Sequence, residues 1–139
     1  MITRISILGA LLGVLILPLH GASAAAPPPE ALVLAPEAAR TIVIDNLAVH
    51  EGSVSGTVVN KSSATLRGVE LSLRQVWFWT DERHPGTDSP GRTLPFTLAG
   101  EVAPNGSAPF TFQTPPLDPR SDGRFVSTMD VTGFTEVGP

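Results

Sequence analysis

Val54-Ser55-Gly56-Thr57-Val58-Val59-Asn60, then Val69-Glu70-Leu71-Ser72-Leu73, then a Pro104-Asn105-Gly106-Ser107 turn running into Phe110-Thr111-Phe112: across residues 54–112 apolar and polar side chains alternate, and turn formers break the alternation. A period of two places successive side chains on opposite faces of a strand, so each run buries one face and wets the other. Short runs of this kind predict an all-β fold, a β-sandwich of about seven antiparallel strands. Nothing in them supplies a nucleophile, a metal cage or a phosphate cradle.

Working toward the N-terminus, Ile42, Ile44, Leu47 and Val49 make an earlier strand whose parity changes at Asp45-Asn46, which predicts a bulge. Glu51-Gly52 then turns it into a hairpin with 53–60. Toward the C-terminus, 66–80 is the longest strand. Val69, Leu71, Leu73, Trp77 and Trp79 share one side, and Gln75 interrupts their stripe. The other side carries Glu70, Ser72 and Arg74 before turning apolar at Val76 and Phe78, so the strand end is either covered on both faces or changes register. Residues 81–92 hold two prolines, two glycines and five charged residues, which predicts the longest loop. Leu94-Pro95-Phe96-Thr97-Leu98 is an edge strand, because Pro95 has no N–H to donate. A strand over 107–114 turns Phe110 and Phe112 inward, 115–123 is a loop, and the last strand over 124–137 sets Phe125, Met129 and Val131 against Val126, Thr128 and Asp130. The chain beyond residue 24 carries no amphipathic helical pattern, second domain or internal repeat.

The first residues read as an export signal. Arg4 precedes an apolar run over 5–17, about thirteen residues, short of the roughly twenty that span a bilayer as a helix. Ala22-Ser23-Ala24 supplies the small residues that a signal peptidase requires, so 1–24 is expected to be removed by cleavage after Ala24. The expected organisation is then a Pro/Ala-rich spacer over 25–39, which contains Pro27-Pro28-Pro29 and Pro36, and a β-sandwich over 40–139. Leu32-Val33-Leu34 is the one apolar patch in the spacer with the pattern of an edge strand.

The chain has no cysteine, so an exported fold must rest on packing and backbone pairing, as is common in bacterial periplasmic domains. Once Arg4 is removed, acidic groups outnumber basic ones by about five, with no Lys or Arg cluster for phosphates. The expected location is therefore the periplasm or the medium, with no nucleic-acid partner and no membrane span after cleavage.

From about Leu47 to Thr114 the chain resembles the FxLYD-type domain, a small immunoglobulin-like module of bacterial and archaeal exported proteins. The resemblance is carried by Gly56-Thr57-Val58-Val59-Asn60 before a polar turn, by Val69-Glu70-Leu71-Ser72-Leu73 running into an aromatic end, and by Pro104-Asn105-Gly106-Ser107 before Phe110-Thr111-Phe112. Where the family closes its aromatic end with tyrosine and aspartate, this chain has Phe78-Trp79-Thr80-Asp81 and a longer loop. The resemblance implies an immunoglobulin-like sandwich without catalytic residues. Asn60, at a strand end, and Asn105-Gly106, in a turn that calls for positive φ, have structural roles on this reading.

Searching for chemistry excludes more than it finds. Gly52-Ser53-Val54-Ser55-Gly56 has Val at the centre, where a nucleophile elbow needs Ser. His50 and His84 are the histidines left after processing, and a zinc site would need them to converge with Asp81 or Glu82. Asp118, Asp122 and Gly123 lack the spacing and the closing Glu of a calcium loop and read as an Asp-Gly turn. Trp77 and Trp79 admit two readings. As the end of the buried stripe, each ring contributes roughly 5 kcal/mol from about 200 Å² buried. After a register change at Gln75 they would instead emerge as a stacking platform for a sugar or peptide, with Phe78 inside.

The expectation is an exported, non-enzymatic accessory module of the bacterial cell envelope, with no cofactor and no metal. It would bind an envelope protein through a sheet edge, for which the Pro95 strand and the Leu32 patch are the candidates, or through the 81–92 loop, where Asp81, Glu82, Arg83 and His84 are the candidate contacts. The alternative is a carbohydrate-binding module that uses Trp77 and Trp79.

Overall fold

Each alternating run pairs with a neighbour in an antiparallel ladder. The computed structural model describes residues 30–34 and 37–138. In chain order these form β1 (Glu30–Leu34), one helical turn α1 (Ala38–Thr41), β2 (Ile42–His50), β3 (Ser53–Asn60), β4 (Thr65–Trp79), β5 (Arg92–Thr97), β6 (Glu101–Val102), β7 (Ser107–Gln113) and β8 (Gly123–Val137). One sheet runs β1-β8-β4-β5, with β6 also on β4, and the other runs β2-β3-β7. Their inner faces share one core, in which Val54, Val58 and Phe110 of the smaller sheet meet Leu66, Val69, Leu71, Leu73, Met129 and Val131 of the larger. This is the all-β, sandwich-like architecture that the alternation predicts.

Local chemistry sets the corners. Asn46 has φ 54 where the β2–β3 register shifts between Asp45 and Ala48, at the expected bulge. Gly52 turns the hairpin with φ 77, and Asn105 takes φ 52 in the turn before β7. Gly56 lies in the stripe between buried Val54 and Val58 for a packing reason: a Cβ there would stand 2.7 Å from Cζ of Phe110, its cross-strand partner. Gly56→Val is therefore expected to overpack the core and cost about 1–3 kcal/mol. A lowered urea midpoint with an unchanged m-value is the check.

Some expectations are corrected. Part of the stretch read as a spacer over 25–39 belongs to the fold: Glu30–Leu34 pairs with β8, and Ala38 is fully buried in the core. The Leu32-Val33-Leu34 patch pairs as the edge strand its pattern allows, while the proline and alanine composition around it gives no sign of the buried Ala38. The signal read over 1–24 lies outside the described residues. Beyond the bulge Leu47 and Val49 are exposed rather than buried, since β2 is the edge strand of its sheet. Gln75 does not interrupt the stripe but continues it as a buried residue. Phe78 stays outside at 43% exposure, so the register change that a Trp77–Trp79 platform requires does not occur there. The β4–β8 register shift lies earlier, between Arg67 and Leu71. β6 and α1 have no counterpart in the sequence reading.

Candidate functional site

β4 and β8 continue their ladder out to Trp79 opposite Gly123. The smaller sheet ends earlier, and its Glu51-Gly52 turn and Thr114 border a cleft of about 490 Å³ with Gln75 and Trp77. Phe125 and the 115–120 loop complete the walls.

The floor is a packed aromatic corner. Trp77 meets Phe125 edge-on at 4.7 Å between centroids and Trp79 at 5.9 Å with an interplanar angle of 85°. The Trp77 ring fills the space that a Cβ on Gly123 would need, and Trp79 does the same to Gly86 of the 81–91 loop. Arg120 roofs both rings, its guanidinium carbon 5.0 Å from the Trp77 centroid and 5.2 Å from that of Trp79. It donates through Nη2 and Nε to Asp122 at 2.7 and 2.9 Å and through Nη1 to Asp88. These hydrogen bonds, to Asp122 first and then Asp88, raise the Arg120 pKa further above its ordinary value, and the bond from Arg120 lowers that of the Asp122 carboxyl. Because the two rings stand perpendicular, they do not form one continuous flat platform.

A second polar chain closes the side. Gln75 accepts from Arg92 Nε at 2.6 Å and donates to Ser127 Oγ at 3.2 Å, while Arg92 also donates to the carbonyls of Pro115 and Pro116. Trp77 Nε1–H is the exception, buried with no acceptor. An unsatisfied buried donor costs on the order of 1–3 kcal/mol.

The 81–84 turn stands apart from this cleft. Asp81 accepts from the Arg83 backbone N–H at 3.0 Å and pairs with His84 Nδ1 at 2.9 Å, and the His84 bond is the main reason its carboxyl pKa is lowered. Asp81, Glu82, Arg83 and His84 are all exposed. His50 lines the cleft instead, and among the described residues no three His, Asp or Glu side chains converge on a metal position. Sequence reasoning found Trp77 and Trp79 but missed Arg120, which reaches them only through the fold. The signal it left was an Arg and an Asp two residues apart in a proline-rich loop.

Beside the cleft runs an open sheet edge. β1 covers β8 only over Gly133–Val137, and among the described residues no strand pairs with 123–132 on the side away from β4. Thr80 N–H bonds to the Asp122 carbonyl at 2.9 Å, which fixes the alternation of the ladder. Residues 124, 126, 128 and 130 therefore bond to β4, while the backbone groups of Phe125, Ser127 and Met129 point outward. The outer edges of β5, β7, β2 and β6 carry blocks to pairing. The Leu98 N–H to Val69 carbonyl bond puts Pro95 at a position facing outward from β5, and the Asn60 N–H to Gly106 carbonyl bond does the same for Pro109 on β7. β2 has its bulge, and β6 is two residues long.

No family model, curated protein or solved structure matches the chain.

Proposed function

We propose that this chain is an exported, non-catalytic interaction module of the bacterial cell envelope that binds an extended polypeptide segment by strand addition to β8. The observation that carries the reading is the open edge over 123–132, which lies beside a cleft sharing Gly123, Arg124 and Phe125 with it. Strand addition takes its affinity from main-chain hydrogen bonds and its selectivity from a pocket for alternate side chains. Here the outward groups of Phe125, Ser127 and Met129 serve the first need. The cleft serves the second.

Two further points support it. β1 already docks on this same edge with Leu32 and Leu34 largely exposed, so five residues are held there with little burial of those side chains. The order β2-β3-β7 against β8-β4-β5 also matches strands A-B-E against F-C-C′ of an immunoglobulin-like sandwich, in keeping with the FxLYD resemblance. On that mapping β1 fills part of the position of strand G.

The test compares capture from envelope extract by three forms of the protein. Wild type is expected to retain a partner, and Ser127→Pro, which removes an outward N–H without breaking the β4 ladder, to lose it. A variant with alanine at Asp81, Glu82, Arg83 and His84 is expected to retain it in full. Loss by the loop variant alone moves the site to 81–92, and no capture by wild type above resin carrying an unrelated protein overturns the reading.

A further inference from the structure

We propose that the strand added to β8 comes from a second copy of this chain, forming a two-fold dimer with a sheet continuous across both molecules. This rests on the reading of 123–132 as a strand-binding edge. What singles out a second copy is the self-complementary order of charges along β8.

In an antiparallel pair, residues directly opposite one another lie on the same sheet face. A two-fold axis through Ser127 sets Arg124 opposite Asp130 of the second copy, and Asp130 opposite Arg124 of that copy. Both residues are exposed, on the outer face of the larger sheet. Arg124 lies 5.9 Å from the Phe78 ring centroid, and neither Arg124 nor Asp130 has an ion-pair partner among the described residues. On the same face Val126 meets Thr128. On the inner face Phe125 meets Met129.

The backbone agrees with this register. Ser127 is one of the residues whose N–H and C=O point outward, so on the axis it exchanges both hydrogen bonds with its own counterpart, and Phe125 does so with Met129. Arg124 and Asp130 then fall in a non-hydrogen-bonded pair, the kind in which side chains come closer. The paired stretch ends at Asp130, and Val131 and Thr132 separate it from Gly133, where β1 begins to cover the edge. An axis further toward the C-terminus drives the second copy into β1 and loses the Arg124–Asp130 match.

Sedimentation equilibrium on the secreted protein, across a concentration series, is the test. Wild type is expected to dimerise reversibly and Ser127→Pro to remain monomeric. Asp130→Arg places arginine opposite Arg124 twice per dimer and should weaken association about tenfold. The double variant Arg124→Asp/Asp130→Arg restores the opposite-charge pairs and should recover the wild-type dissociation constant. Circular dichroism of each variant guards against misfolding. A wild-type monomer at every concentration overturns the proposal, as does a dimer that survives Ser127→Pro or is indifferent to the charge reversals. A monomer that still captures an envelope protein through Ser127 leaves strand addition standing and removes only the second copy. Loss of both removes both.

Discussion

Asn60→Ala is expected to lower the unfolding free energy by about 2–4 kcal/mol, the penalty for leaving several buried backbone groups without partners. Asn60 is fully buried at the end of β3. Its Nδ2 donates to the Ala64 carbonyl at 2.8 Å and the Ala103 carbonyl at 2.9 Å, and its Oδ1 accepts from Ser62 N–H at 2.9 Å and Ser62 Oγ at 2.8 Å. One amide therefore ties the β3–β4 turn to the β6–β7 turn, and alanine supplies neither donor nor acceptor. Urea unfolding followed by tryptophan emission measures the loss, and an effect below about 0.5 kcal/mol, the level of an ordinary surface change, defeats the prediction. Asn60→Asp adds a control with a sign. Its carboxylate keeps the acceptor but turns an anionic oxygen toward two carbonyls, whereas the protonated acid donates to one of them. This burial raises the folded pKa above the unfolded value, so the variant is most stable in acid and loses stability as pH rises through the folded pKa.

Arg120→Ala is expected to give the largest optical change. Without the guanidinium the Trp77–Trp79 pair loses its roof, the 81–91 and 115–122 loops lose their shared anchor, and both rings gain water. Emission moves to longer wavelength and iodide quenching increases. Arg120→Lys should behave much like alanine, because an ammonium cannot bond in fork geometry to Asp122 while lying flat over two rings. Acid should mimic both. The Asp122 carboxyl pKa is lowered in the folded protein, so its contribution is complete above the unfolded value and fades as pH falls through the folded one. The wild-type spectrum should be flat from about pH 8 to pH 5 and shift only in stronger acid. A shift near neutrality, or an unchanged spectrum in Arg120→Ala, counts against the roof.

Legibility in the sequence followed the range of the interaction involved. β3 was read at its observed limits because Val54 and Val58 alternate with small polar residues, a signal complete within the strand. The bulge at Asp45-Asn46 and the Asn105 turn were legible for the same reason. Leu47 and Val49 misled because hydrophobicity records which residues favour burial and not which strand has a neighbour to bury them. Gln75 looked like a break because its partners, Arg92 and Ser127, come from two other strands. The edge strand at Leu32-Val33-Leu34 was legible as an apolar patch, whereas Ala38 was hidden in a composition that favours extended chain. The aromatic half of the cleft could be named from sequence; Arg120, which organises it, could not.

Pro95, Pro109 and the bulge of β2 have a consequence for how far association can proceed. A molecule adhesive along two opposite margins adds copies without limit and grows into fibres, as amyloid-forming chains do. If two copies join through β8, each covers the other's open margin, and growth through that margin terminates after a single step.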